Sequence, residues 1–110
     1  MSKRDNHLLI EDMLEAAVKI KQYTLQMNFD DFFKDEKTKD AVVRNFEIIG
    51  EAANRVTIDF QTGVQEIDWV KLAGFRNRLI HEYFGVDYGI VWNIVENELE
   101  QLIERLKSLV

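Results

Sequence analysis

Five side chains suited to phosphodiester chemistry lie within one short stretch of the sequence, RNRLIHEY. They are Arg76, Asn77, Arg78, His81 and Tyr83. Arginine can hold a phosphate through two hydrogen bonds and offset the charge of a pentacoordinate transition state, and histidine, with a pKa of about 6.5, exchanges protons at neutral pH. RNA brings its own nucleophile, the 2′-hydroxyl, so this chemistry requires no catalytic serine, cysteine or metal. The stretch predicts RNA cleavage, with Arg76 on the phosphate, His81 as general acid or base, and Asn77 and Arg78 as further phosphate contacts.

The composition argues against most other kinds of active site. The chain has no cysteine and only two histidines. Disulfides, thiolate zinc sites and a cysteine nucleophile are therefore excluded, and a histidine-rich metal site is not expected. We expect chemistry that uses neither a metal ion nor a cofactor.

The charge distribution places the anion site in the same stretch. The net charge is −6, which argues against a broad basic face that coats nucleic acid. Only the segment 67–86 is net positive, with Lys71, Arg76 and Arg78 against Asp68 and Glu82. We therefore expect a small phosphate pocket in this segment rather than a long groove.

The length of 110 residues fits one domain, which we expect to cover 1–110. No apolar run approaches the roughly 18 residues of a spanning helix, and acidic residues follow the amino terminus before a signal-type core could develop. We expect a cytoplasmic protein with no membrane association.

The elements that must position the cluster are predicted to be helices. The chain has no proline and five glycines, which favours long uninterrupted helices over a turn-rich sheet fold. Apolar residues at helical spacing predict an antiparallel four-helix bundle of the all-α class, with a short extra helical turn in NFDDFFKD between the first two helices. The predicted helices cover about 6–27, 36–57, 67–83 (ending at Gly85 in a left-handed conformation), and the residues that follow Asp87 as N-cap.

Arg76 is the anomaly in the third predicted helix. A helical projection places it at the centre of the apolar stripe, with His81 on the flank and Tyr83 two turns along. A buried guanidinium that has no partner costs several kcal/mol, so Arg76 must pair with a carboxylate, open into a cleft or bind an anion. An internal salt bridge to Glu47 or Glu51 is therefore a structural alternative to the catalytic interpretation.

A single helix provides only part of a pocket. Two copies packed about a twofold axis would bring both Arg76–His81 clusters to one cleft, so the sequence predicts a homodimer.

The motif residues also resemble a known family. RNRLIHEY, from Arg76 to Tyr83, is similar to the R-x4-H-x-Y motif of the HEPN superfamily in its HepT-type toxin branch. The resemblance extends over almost the whole chain, through MLEAAVKIKQYT, DAVVRNFEIIGEAANRV and RNRLIHEYFGVDYGIVWNIV.

The resemblance implies a metal-independent endoribonuclease that acts as the toxin of a toxin–antitoxin pair, works as a homodimer and cleaves tRNA or mRNA. Arg76 and His81 match the catalytic residues, Asn77 matches the polar residue that often follows the arginine, and Tyr83 matches the tyrosine that the antitoxin, a minimal nucleotidyltransferase, modifies with AMP. Arg78 has no counterpart role in the family pattern.

Two alternatives stay open at this point. The chain could be a non-catalytic helical partner whose Arg76 cluster binds the nucleotide of a nucleotidyltransferase. It could also be a purely structural bundle in which Arg76 pairs with Glu47 or Glu51.

Overall fold

The computed structural model describes residues 5–81 and 85–110, with Ile80 and His81 described by their backbone only. This part of the chain is mostly helical, which confirms the predicted all-α class. It contains eight helices and one two-stranded antiparallel ribbon: α1 (Asn6–Tyr23), α2 (Phe29–Lys34), α3 (Glu36–Arg55), α4 (Ile58–Gly63), α5 (Trp69–Ala73), α6 (Phe75–Leu79), β1 (Ile80–His81), β2 (Gly85–Val86), α7 (Tyr88–Asn97) and α8 (Leu99–Lys107).

The two long helices α1 and α3 pack against each other and form the centre of the bundle. Aspartates begin both of them: the Asp5 carboxylate accepts a hydrogen bond from the His7 amide at 2.7 Å, and Asp35 accepts one from the Thr38 amide at 3.0 Å. The apolar positions recur every three or four residues, so each helix buries one face. That face includes Ile10, Met13, Ala17 and Ile20 in α1 and Val42, Phe46, Ile49 and Ala53 in α3.

The short extra helical turn is confirmed as α2. Asn28 and Asp31 form a reciprocal capping box at its start, in which each side chain accepts a hydrogen bond from the other residue's amide. Phe32 is fully buried, and its ring stacks on Trp92 of α7 with centroids 5.1 Å apart. The turn therefore closes one end of the core, as the aromatic stretch predicts.

The predicted third helix, 67–83, is wrong in its extent. It is divided at Gly74 into α5 and α6, and α6 ends at Leu79. The chain then enters an antiparallel ribbon in which Ile80 pairs with Val86 and His81 with Gly85. Gly85 has a φ of 74°, so it adopts the left-handed conformation as predicted, but within the ribbon rather than as the stop of a helix.

Two further boundaries differ from the prediction. The polar connection before α5 contains α4, because the Thr57 hydroxyl caps a helical turn by accepting a hydrogen bond from the Phe60 amide. The last helix is interrupted once, at Glu98, where φ is −123°. Its start is as predicted, since the Asp87 carboxylate accepts a hydrogen bond from the Ile90 amide at 3.2 Å.

None of the helices in the described ranges is long and apolar enough to cross a membrane.

Candidate functional site

The helix α6 has one face packed on the core and one face open to solvent. Phe75 and Leu79 are buried, and the Phe75 ring packs edge-on against Phe46 of α3 with centroids 5.2 Å apart. Arg76 and Asn77 are exposed. The inner face of α6 is thus fastened to the core, and its outer face presents a guanidinium and an amide to solvent.

The prediction that Arg76 occupies the centre of the apolar stripe is wrong. The stripe that is buried runs through Trp69, Leu72, Phe75 and Leu79, and it passes to one side of Arg76. The helix is interrupted at Gly74 and α6 ends at Leu79, so residues 67–83 do not share the single helical face that the projection assumed.

The proposed salt bridge from Arg76 to Glu47 or Glu51 is not formed. Glu47 lies 3.7 Å from Arg44 on its own helix, and Glu51 is exposed. Over the ranges 5–81 and 85–110, Arg76 makes no ion pair with any carboxylate. The purely structural interpretation of Arg76 therefore loses its basis, and the guanidinium is accessible to an anion from solution.

A glycine in α3 sets how closely α5 and α6 approach the core. Gly50 is buried, and a Cβ on it would lie 3.1 Å from the Leu72 carbonyl oxygen and 3.6 Å from the Phe75 Cβ. The absence of a side chain at this position lets the backbone of α5 and α6 lie directly on α3. Ala52 and Ala53, which follow Gly50 in the sequence, are also small and leave room for a close neighbour.

His81 follows α6 on extended backbone rather than on a helix flank. Its main chain pairs with Gly85, and the Asp87 amide donates a hydrogen bond to the Leu79 carbonyl at 2.8 Å. These bonds tie the exit of α6 to the start of α7. The side chain of His81, and Tyr83 as a whole, lie outside the described part of the chain.

Arg78 has a partner that the sequence analysis missed. Its guanidinium binds the Glu98 carboxylate through two contacts, Nη2 to Oε2 at 3.0 Å and Nη1 to Oε1 at 3.5 Å. The Lys71 Nζ reaches the same carboxylate at 2.9 Å. Arg78 is therefore held in an ion pair within the chain, whereas Arg76 and Asn77 are open to solvent.

The environment of Glu98 keeps it ionised. Partial burial raises the pKa of its carboxyl, but the hydrogen bonds from Arg78 and Lys71 lower it by more, and the pKa is held below its ordinary value. A sequence signal for this residue exists. Glu98 lies at helical spacing between Val95 and Leu102 of the apolar seam, where a carboxylate requires a partner.

Comparison with known proteins decides the family. The model of the HepT-like ribonuclease family matches residues 13–109. The chain belongs to this family. The match extends from within α1 to the end of α8 and includes α6, which carries Arg76.

Relatives of the HepT-like family cover the chain almost completely. A protein of Methanocaldococcus jannaschii with a provisional RNase name is 38% identical over 110 residues, which is 100% of this chain and 91% of the relative. One of Thermococcus cleftensis, provisionally named ribonuclease HepT, is 39% identical over 107 residues, 97% of each chain. A protein of Caldanaerobacter subterraneus, also with a provisional RNase name, is 35% identical over 100 residues, 91% of this chain and 89% of the relative. No solved structure matches the chain.

Proposed function

We propose that this HepT-like protein is a metal-independent endoribonuclease that acts as the toxin of a toxin–antitoxin pair. The observation that carries the proposal is the exposure of Arg76. No described carboxylate neutralises it, and it lies on α6, which leads directly into β1, the strand that contains His81. The membership of the ribonuclease family and the RNase names of its relatives support it.

The proposed reaction uses the 2′-hydroxyl of the substrate as nucleophile. The 2′-oxygen attacks the adjacent phosphorus, the bond from phosphorus to the 5′-oxygen breaks, and the products are a 2′,3′-cyclic phosphate and a 5′-hydroxyl. Arg76 binds the nonbridging oxygens and offsets the charge that grows on them. His81 either removes the proton from the 2′-hydroxyl or delivers one to the departing 5′-oxygen.

Asn77 and Arg78 stand in different positions with respect to this reaction. Asn77 is exposed beside Arg76 and is available as a further donor to the phosphate. Arg78 is bound by Glu98, so a direct contact with RNA requires that it first leave this ion pair. We therefore assign the substrate phosphate to Arg76 and Asn77 before Arg78.

We further propose that the active form is a homodimer. Two copies about a twofold axis bring two histidines to one cleft, which supplies both a base and an acid. Because each chain has a net charge of −6, the contact must depend on apolar burial. Val70 lies on α5, the helix before α6, and is 85% exposed. We place it in the contact between the two copies.

Control by an antitoxin is the last part of the proposal. A minimal nucleotidyltransferase transfers AMP from ATP to the Tyr83 hydroxyl: the phenolic oxygen loses its proton and bonds to the α-phosphorus, the bond from that phosphorus to the bridging oxygen breaks, and pyrophosphate leaves. The new phosphodiester, with its negative charge and bulk, occupies the anion site of Arg76 in place of RNA. This step rests on the HEY sequence of the motif and on the availability of Arg76.

Cleavage of a defined RNA by the purified dimer in the presence of EDTA tests the ribonuclease proposal. The expected products carry a 2′,3′-cyclic phosphate, and a substrate with a 2′-deoxy or 2′-O-methyl group at the scissile nucleotide is expected to resist. Loss of activity in chelator with recovery in magnesium would rule out the metal-independent mechanism. The absence of cleavage by any preparation, together with tight binding to a nucleotidyltransferase, would instead favour the non-catalytic partner.

A further inference from the structure

The segment formed by α5 and α6, which carries Arg76, is not stable as helix on its own. The helices α5 and α6 have five residues each, and isolated helices shorter than about 12 residues are marginal in water. Their position therefore depends on contacts with the rest of the bundle. The inner face is held by Phe75 against Phe46 and by the close approach to Gly50.

The side of the segment that faces α8 is held differently. A cavity of about 150 Å³ lies there, between Leu72 and Phe75 on one side and Leu99 and Leu102 on the other. A cavity means that close packing contributes little along this side. The contacts that cross it at the surface are polar and converge on Glu98.

Glu98 joins four helices at one point. It lies at the junction of α7 and α8, and its carboxylate binds Lys71 of α5 and Arg78 of α6. These two cations stand on opposite sides of Gly74, where the helix is interrupted. A shared carboxylate therefore fixes the angle between α5 and α6.

The ion pair with Arg78 also fixes the rotation of α6 about its axis. Arg78 is two residues after Arg76 and three before His81, so a rotation that moved its guanidinium would also redirect Arg76 and the entry into β1. The Glu98 side chain is only 29% exposed, and its partner Arg78 only 28%, so the pair is less screened by water than a surface ion pair.

We propose that Glu98 is a positioning residue for the Arg76–His81 segment. It touches no RNA and acts through Arg78 and Lys71, which hold α6 in the orientation that directs Arg76 at the scissile phosphate. This inference rests on the proposed ribonuclease function, because it assigns Glu98 a part in the same site.

The test compares two substitutions that change the net charge equally. Glu98→Gln keeps the side-chain shape and removes the charge that binds both cations. Glu100→Gln is the matched control, because Glu100 lies in α8 and pairs at 2.8 Å with Lys21 of α1, away from α5 and α6. Both variants and the wild type are assayed for kcat and KM on a quenched fluorescent RNA of mixed sequence.

We expect Glu98→Gln to lower kcat by about tenfold or more, because a small misalignment of the reacting groups slows catalysis strongly. We expect its KM to stay close to that of the control. Glu98→Asp retains the charge and is expected to recover part of kcat. It also carries the test if Glu98→Gln does not fold. Equal kcat values for Glu98→Gln and Glu100→Gln would overturn the proposal, as would a lower KM at unchanged kcat, which would show Glu98 competing with RNA for Arg78.

Hydrogen exchange separates this inference from the ribonuclease proposal. Amides of residues 75–81 are expected to exchange faster in Glu98→Gln than in wild type and Glu100→Gln. If the wild-type protein does not cleave RNA, the proposed function fails, but faster exchange confined to Glu98→Gln still supports the positioning role. Unchanged exchange in that segment would contradict it whatever the activity.

Discussion

Gly50 of α3 lies directly beneath the Leu72 carbonyl of α5, so close that a Cβ on Gly50 would be 3.1 Å from that oxygen. The Leu72 carbonyl belongs to the last turn of α5, which ends where the Gly74 amide donates a hydrogen bond to the Val70 carbonyl at 3.0 Å. The helix α5, which leads into the helix that carries Arg76, therefore rests on a position of α3 that has no side chain.

Replacing Gly50 by valine is expected to separate α5 and α6 from α3. The larger side chain overlaps Leu72 and Phe75, and overpacking of this kind lowers the free energy of unfolding by about 1–3 kcal/mol. Gly50→Ala is the control, because the gain in helix propensity of about 1 kcal/mol offsets its tighter contact. Chemical denaturation measures both variants, and a Gly50→Val protein as stable as wild type would contradict the close approach.

Removal of either Arg76 or His81 is expected to abolish RNA cleavage. His81→Ala removes the proton carrier, which contributes about 10²- to 10⁴-fold in such reactions, and Arg76→Ala removes the phosphate contact. Because Arg76 is exposed and has no described ion pair, its loss is expected to change stability by no more than about 0.5 kcal/mol.

Arg55→Ala removes another exposed cation, at the end of α3, and serves as the control for net charge. Its cleavage rate should match that of wild type. Full cleavage by a folded His81→Ala dimer would end the catalytic assignment of His81.

The left-handed backbone of Gly85 predicts a specific sensitivity in the ribbon. With φ at 74°, an alanine at Gly85 is strained by about 1–2 kcal/mol even though its Cβ would meet no neighbouring atom. We expect Gly85→Ala to lower both the thermal stability and kcat, because β2 is the partner strand of His81. Gly63→Ala is the control, since Gly63 has open space and no positive φ. Equal melting temperatures of the two variants would argue against the ribbon.

The homodimer prediction is tested by sedimentation at micromolar concentration. Val70→Glu puts a charge on the exposed apolar position of α5 and is expected to produce monomers that have lost cleavage. Leu25→Glu, at an exposed apolar residue in the turn after α1, makes the same change in charge and should remain dimeric. A wild-type monomer that still cleaves RNA would refute the shared cleft.

Antitoxin control predicts a change in intact mass. Co-expression with the cognate nucleotidyltransferase is expected to add the mass of one or more AMP groups to the wild-type chain and none to Tyr83→Phe. The Tyr83→Phe protein should then remain toxic in the presence of the antitoxin. Neutralisation of wild type without a mass change, or equal neutralisation of Tyr83→Phe, would mean that control depends on complex formation instead.

Local patterns in the sequence were sufficient for the main helices. In α1 and α3 the apolar residues recur at helical spacing over about five turns, so the buried face follows from the order of residues alone. The capping aspartate Asp87 and the short turn α2 were predictable for the same reason, because each depends on neighbours within three or four residues. The family motif in RNRLIHEY is also local.

The arrangement around the motif depends on contacts between distant parts of the chain. Arg78 and Glu98 are 20 residues apart, and Gly50 meets Leu72 from another helix, so neither relationship has a local signature. The end of α6 at Leu79 likewise depends on strand pairing, in which backbone groups of β1 find partners in β2 instead of continuing the helix. The sequence by itself determined which residues are candidates for the proposed chemistry. Only the tertiary structure decided that Arg76 faces solvent while Arg78 is held within the chain, because the direction of each arginine depends on which distant carboxylate the folded chain brings within reach.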